Sequence, residues 1–470
     1  MKADIPSDGK YIATVSAPMW IPEKGVYRMV YEARRQDGRS NRYAWAESTD
    51  GIQWTKPPLG LVESRGSRQN NLFPTAEGLR LWHVVYDPDD PNPQRRYKGF
   101  LGARGRRPVV SPDGLHWEVL EAPTLPSSDA GTLTYDRANK QFLGMLKFMG
   151  HHGRSYNITI SNDFVHWSEP RLFFETDELD QKLAVETIRR RLADAGLAKP
   201  LFVDPDPSIG WKPPDGRKLT PTWRAETYNI GVFPYEGMYI AWMMIFYPTG
   251  QLLPEWRNAD GFHLIQLAMT RDLRQWTRLG NRQPFIGPSR LDEGLAGNYD
   301  RLQLMVMNRP VEMGDELWFY YTGMKRRVPQ HSRYSDGSPR DPKTLTPNER
   351  ADWIDDTHSA ICLAVLRRDG FVSLDADRTT GSVLTKPLRI EGERLYLNLD
   401  AGRSGKAELE VLDSQARPLP GFSQSQAVIG DVVRLPVKWE GGVALRGLAG
   451  QAVRLRIHLT DAQLYAFWAE

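Results

Sequence analysis

The stretch STDGIQWTKP, Ser48–Pro57, reads by itself as a turn followed by a tryptophan. Nearly the same phrase returns as SPDGLHWEVL from Ser111, SNDFVHWSEP from Ser161 and TRDLRQWTRL from Thr270. The shared pattern is Ser or Thr, any residue, Asp, three residues, Trp. An Asp side chain in that place accepts hydrogen bonds from the backbone amides just after it and closes a turn. Gly51 and Gly114 follow the Asp where a positive φ is useful. The Trp returns the next strand to a buried surface, so Trp54, Trp117, Trp167 and Trp276 are expected to pack between repeats rather than to act as sugar platforms.

The strands around each turn repeat as well. A short β-rich segment precedes it (YAWAES, RPVVS, YNITIS, LIQLAMT), and before that comes one richer in aromatics: YRMVYEA at Tyr27, RYKGFLGA at Arg96, QFLGMLKFM at Gln141 and MYIAWMMIFY at Met238. One more apolar strand and a tight turn lead each unit. A fifth copy is degenerate, with ELWFYYTGM from Glu316 and AICLAVLRRDGFVSL from Ala360. Five units of four strands predict an all-β chain whose residues 1–380 form a five-bladed β-propeller. DELDQKLAVETIRRRLADAG (177–196) predicts one helix inside an insertion spanning about 175–221, with Asp177 as N-cap, Gly196 as stop and an apolar stripe of Leu179, Leu183, Ile188 and Leu192. Residues 325–357 read as a long charged loop. From 384 to 470 the pattern turns to short alternating strands and predicts a C-terminal β-sandwich.

Composition narrows the partners. The 61 basic and 58 acidic residues leave a formal charge of +3, which gives no reason to expect nucleic acid or an anionic membrane. Cys362 stands alone, so no intrachain disulfide or cysteine-based metal site is expected. The opening MKADIPSDGKYIATV lacks an apolar core of signal-peptide length, and MYIAWMMIFY is too short to span a bilayer. The expectation is a cytoplasmic protein, or a secreted or periplasmic one had a leader been removed.

In a propeller the one–two and three–four turns lie at one face, and the two–three loops and inter-blade connections at the other. Here the repeated Ser-x-Asp turns are short, and the insertions 58–78, 169–225, 247–262, 278–299 and 325–357 all fall at the opposite face, where variable loops carry function. The first residues of the inner strands point into that funnel. SSDAGTLTYD places Asp129 there, RAETYNIGVFPYEG places Glu226 and NYDRLQLMVM places Asp300. Each alone reads as a turn cap. Three at equivalent places in consecutive units suit cleavage of a glycosidic bond: Glu226 as general acid, Asp129 as nucleophile or base, and Asp300 as pKa modulator or sugar ligand.

These features resemble the five-bladed propeller glycoside hydrolases, the arabinanase/xylosidase group (family 43) and the invertase/levansucrase groups (families 32 and 68). The resemblance covers the architecture of nearly the whole chain and implies a carbohydrate substrate. The Asn-Asp-Pro-Asn-Gly and Glu-Cys motifs of invertases do not stand here. The carboxylates also come one or two blades later, so fructan or arabinan specificity is not carried over.

Further rim candidates for substrate contact are Glu32, Arg34, Asn70, Asn71, Arg104, His151, His152, Trp223, Arg224, Trp256 and Arg301. Asn and Arg suit sugar hydroxyls, and Trp223 and Trp256 could stack on a sugar ring. His151 and His152, adjacent on an extended strand, would point apart and make no metal site. DPDDP at 87–91 offers oxygen ligands of the calcium kind, but a plain Asp/Pro turn accounts for it, and no cofactor is expected. The rival readings are a non-catalytic glycan-binding propeller, a mannoside-type phosphorylase with fewer carboxylates and a basic cluster for phosphate, and a protein-interaction scaffold.

Overall fold

The four repeated turns are built alike. Asp50 Oδ1 accepts from the amides of Ile52 and Gln53 at 2.8 Å, and Ser48 Oγ accepts from Gly51 at 2.8 Å. Asp113 and Asp163 repeat this with Leu115, His116, Val165 and His166, and Asp272 with Arg274 and Gln275. Gly51 and Gly114 take φ of +76° and +84°. Phe164 and Leu273 occupy the same left-handed place at +66° and +57°. That conformation costs a non-glycine residue about 1–2 kcal/mol. Here it drives both side chains into the core, where they are 0% and 5% exposed, and burial of a large apolar side chain offsets a cost of that size.

The computed structural model describes all residues except 6, 10, 35–40, 103, 208–221, 254–255, 292–297, 328–358, 440–441, 443–444 and 449. These residues form antiparallel sheets and one α-helix, in two compact units: Met1–Val311 with Phe319–Ala364, and Glu312–Trp318 with Val365–Glu470.

The first sheet contains β1 (Tyr11–Thr14), β2 (Met19–Ile21), β3 (Val26–Arg34), β4 (Asn41–Ser48) and β5 (Leu72–Phe73), with β1 and β2 both pairing with β3. The second runs β6 (Leu81–Tyr86), β7 (Tyr97–Leu101), β8 (Arg107–Ser111) and β9 (Glu118–Val119). The third runs β10 (Gly131–Asp136), β11 (Gln141–Gly150), β12 (Gly153–Ser161) and β13 (Arg171–Phe174). Helix α1 (Glu178–Ala193) precedes the fourth sheet, β14 (Glu226–Tyr235), β15 (Met238–Leu253), β16 (Trp256–Thr270) and β17 (Thr277–Arg278). In the fifth, β18 (Gln303–Met305), β19 (Val311–Met313) and β21 (Ser359–Arg367) pair with β20 (Glu316–Met324).

The Trp-bearing turns tie consecutive sheets together. Trp276 of the fourth sheet meets Phe173 of the third at 4.8 Å between ring centres, Trp167 of the third meets Phe100 of the second at 5.5 Å, and Gly114 of the second lies under Trp45 of the first. Trp54 of the first meets Tyr320 of the fifth at 6.1 Å, and the Tyr320 hydroxyl donates to the Gly51 carbonyl at 2.7 Å. Phe319 of the fifth packs on Trp242 of the fourth at 5.0 Å. The packing order therefore returns to its start.

In the second unit, β22 (Leu374–Ala376), β25 (Leu395–Asp400), β27 (Asp431–Pro436) and β29 (Ala462–Ala469) form one sheet. Strands β23 (Gly381–Leu384), β24 (Leu388–Arg389), β26 (Lys406–Leu412) and β28 (Ala452–Thr460) form the other. Leu397, Leu409, Leu455 and Leu464 share their core. Because β22 pairs with β29, residues 374–376, which the sequence pattern puts in the first domain, belong to the second unit.

Two local expectations are corrected, in α1 and in the fourth sheet. Asp177 caps α1 as expected, in a capping box with Asp180, but the buried face is Asp180, Ala184, Ile188 and Arg191, and Leu179 and Leu183 are exposed. The turn-by-turn spacing of Ala184 and Ile188 sets that face, and the two leucines lie one position off it. Residues 247–253 and 256–262, expected as a loop, instead prolong the β15–β16 hairpin. At Asp87–Pro91 the Lys98 ammonium bonds Asp87 and Asp90 at 2.8 and 2.7 Å, so a side-chain cation already satisfies those oxygens.

Candidate functional site

Strands β10 and β14 lie side by side. The Thr132 and Thr134 hydroxyls donate to the Ile230 and Val232 carbonyls. This adjacency brings Asp129, two residues ahead of β10, and Glu226, the first residue of β14, into one polar cluster.

Glu226 is 1% exposed. Arg154 Nη1, from β12, donates to its Oε2, and Arg224 Nε to its Oε1 at 2.6 Å. The Asp129 side chain is 57% exposed, although protein surrounds its inner side, and its Oδ2 lies 3.6 Å from Lys147 Nζ on β11. Lys147 is buried, sits 4.2 Å from the Tyr228 ring centre, and its Nζ has no hydrogen-bond partner among the described residues. Arg327 lies over Phe246 and Tyr228 at 4.4 and 5.3 Å. Buried Arg106 donates to the Gly102, Ser128 and Asp129 carbonyls. Arg80 pairs with Glu32 at 3.3 Å and stacks on Trp82.

The electrostatics follow from this crowd of cations. Burial pushes the Glu226 carboxyl up, but Arg154 and Arg224 outweigh it and hold it below the ordinary glutamate range. Burial likewise raises Asp129, and Lys147, Arg80, Arg106 and Arg154 bring it net below the aspartate range. Burial drives Lys147 down to about 7, against the pull of Asp129 and with the repulsion of Arg154, Arg327 and Arg106. Arg106 falls to about 10, chiefly from burial. Asp260, facing Arg327, is raised by burial while its Oδ2 accepts from the Leu201 and Phe202 amides.

Glu226 and Asp129, two of the three expected carboxylates, share Arg154 as an electrostatic neighbour. The expected acid role of Glu226 does not fit, because a carboxylate held ionised by two guanidiniums has no proton to give. Asp300 has partners of its own: Ser289 Oγ donates to its Oδ1 at 2.7 Å and Tyr321 to its Oδ2 at 2.8 Å, which leaves a capped and largely buried carboxylate.

The other candidates divide. Glu32 and Arg224 belong to the cluster through their pairs. Asn70 spends its amide on the Val62 and Ser67 carbonyls, and Asn71 on Tyr31 and Trp45, so both shape loops rather than bind sugar. Trp223 is core, donating to the Thr249 carbonyl at 3.1 Å. Arg104 is exposed, and the Arg301 carbonyl accepts from Arg191. The side chains of Arg34 and Trp256 lie outside the described residues. His151 and His152 form a two-residue turn, not an extended strand, and their rings meet at 4.5 Å. Lys147, Tyr228 and Arg327 were missed. Lys147 left a signal, as the single charge inside QFLGMLKFM; Arg327 left none in an irregular charged run. A cavity of about 610 Å³ opens instead beside α1, floored by Tyr247, Phe262 and Leu264, and none of the expected site residues lines it.

No family model matches the chain, and no curated protein matches it. Among solved structures it is similar to a thermostable family-43 glycoside hydrolase, at 13% identity over 69% of this chain and 88% of that one, with a TM-score of 0.37. It is also similar to a GH32 beta-fructofuranosidase of Bombyx mori, at 11% identity over 97% and 93%, TM-score 0.36. A third is a GH130 structure, described in terms of mannoside phosphorylases and glycoside hydrolases that target beta-1,2 mannosidic linkages, at 12% identity over 75% and 83%, TM-score 0.39.

Proposed function

We propose that the chain is a five-bladed β-propeller followed by a β-sandwich, and that it cleaves glycosidic bonds in the recess around Asp129. The return of the Trp-turn packing from the fifth sheet to the first supports the closed ring. The observation that carries the activity is the Asp129 carboxylate, open to solvent among cations and next to a buried lysine. An ionised carboxylate so placed can attack an anomeric carbon or take a proton from water. Glu226 acts through others: it fixes the two guanidiniums that face the recess. Lys147, which titrates near neutral pH, is the candidate donor to the leaving oxygen.

A second reading, phosphorolysis, is favoured by one observation. Arg80, Arg106, Lys147, Arg154, Arg224 and Arg327 stand against the carboxylates of Glu32, Asp129, Glu226 and Asp260, so the recess has positive charge to spare for an anionic acceptor. A phosphate among Arg106, Lys147 and Arg154 would offset the charges that depress Asp129 and raise its pKa. Asp129 could then carry a proton to the leaving oxygen while phosphate attacks the sugar.

The test is turnover of oligosaccharide and aryl-glycoside panels with and without orthophosphate, for wild type and Asp129→Asn. Phosphate-independent release of free sugar supports hydrolysis, and a strict phosphate requirement with sugar phosphate as product supports the second reading. Either activity should fall roughly 10²–10⁴-fold in Asp129→Asn. Glycan binding without turnover by either protein would sink both readings and leave a binding module.

A further inference from the structure

We infer that the β11–β12 turn and the first turn of α1 form a binding site for one divalent transition-metal ion of the zinc class, with His151, His152 and Glu178 as ligands. One ligand atom from each lies within 4.8 Å of the others. Glycines flank the turn, with Gly150 pairing to Gly153, so the two histidines share its corner and their ring centres lie 4.5 Å apart. The rings stand edge to face at 79°. Glu178 arrives from the first residue of α1, its Oε1 3.5 Å from His152 Nε2.

Two imidazoles and a carboxylate are a donor set that zinc, nickel or cobalt takes and that magnesium and calcium, which prefer all-oxygen shells, do not. Tetrahedral ligands about 2.1 Å from one ion stand roughly 3.4 Å apart. The side chains must therefore close by about an ångström, and exposed His151 and Glu178 are able to turn. Glu175, whose Oε2 accepts from the His151 amide at 3.1 Å, holds the turn from behind. A plain His152–Glu178 ion pair is the competing account, and it requires neither His151 nor an affinity for metal.

The site borders the Glu226 cluster. A Cβ built on Gly153, the residue after His152, would lie 2.6 Å from Glu226 Oε1. Three protein ligands leave a fourth position open to water or to an oxygen of a bound molecule. The inference needs no particular reaction, and its test reads binding rather than turnover.

The untagged full chain, stripped with chelator, is titrated calorimetrically with zinc, nickel, magnesium and calcium. The expected result is one zinc or nickel per chain with micromolar affinity and no response to magnesium or calcium. His152→Ala and Glu178→Gln should each weaken zinc at least tenfold with unchanged circular dichroism. Zinc binding weaker than about 1 mM overturns the inference, as does binding that survives both substitutions. Should His152→Ala fail to fold, Glu178→Gln, which alters an exposed side chain, decides between the two accounts alone.

Discussion

Replacing Glu226 by Gln keeps the side chain's volume and removes the charge that two guanidiniums face. Removing one partner of a buried ion pair costs about 3–5 kcal/mol, because the remaining charge is left uncompensated. Arg154 and Arg224 keep 18% and 21% of their side-chain exposure, so water takes up part of that loss and the lower end, about 3 kcal/mol, is the expectation. With an unfolding entropy near 2.1 cal/mol/K per residue over roughly 350 residues of the first unit, that is a drop of about 4 °C in Tm. Since the folded pKa lies below 4.5, wild type holds this contribution above that pH and loses it as pH falls through the folded value; Glu226→Gln should lack the acid limb. On a glycoside substrate the loss of rate should be equal for good and poor leaving groups, because the variant misplaces cations rather than withholding a proton. The assays are calorimetric melting from pH 3 to 8 and kinetics on paired aryl and alkyl glycosides. Unchanged melting, with a loss confined to the poor leaving group, would refute the reasoning and restore Glu226 as the acid.

Lys147→Met addresses the opposite charge. With a folded pKa near 7 against an unfolded value near 10.4, the unfolded chain holds the extra proton between those pH values, so wild-type stability should rise over that window and be flat below it. The variant should lack the rise, by a few kcal/mol, in denaturant melts at pH 6.5 and 10; an identical slope would show that the ammonium is not desolvated. Tyr320→Phe, which deletes the hydroxyl bond to Gly51, should cost about 1 kcal/mol in urea unfolding; a neutral result would mean that the first and fifth sheets do not rely on that bond.

The repeated turn was legible because its chemistry is local. An Asp, a Ser or Thr three residues before a positive φ and, in the first three copies, a Trp that donates back to the same turn all act within seven residues, so four copies read alike even where Phe164 or Leu273 replaces glycine. The start of β14 at Glu226 was legible for the same reason. The electrostatic state of Glu226 was not, since it depends on Arg154, 72 residues away. Asp300 looked equivalent to Asp129 by its place before a strand, but Ser289 and Tyr321 claim its oxygens, and a strand pattern does not record a side chain's partners. His151 and His152 were misjudged by one step of register: a strand ending at Gly150 turns two opposed side chains into a pair.

The circular packing has a consequence for timing. The backbone of Ile12 exchanges bonds with the Ser359 hydroxyl across 347 residues, and the Thr14 amide donates to Thr322 across 308. Local hairpins such as β11–β12 can form as soon as their own strands leave the ribosome, but β1, which pairs locally with β3, must wait for the fifth sheet to complete its other bonds. Closing so long a loop carries an entropic cost near 5 kcal/mol before any of those bonds repays it. During synthesis the first sheet therefore carries an unmated edge for most of the chain's length, and the join between the first and fifth sheets is where a slow folding step and a need for chaperone cover should concentrate.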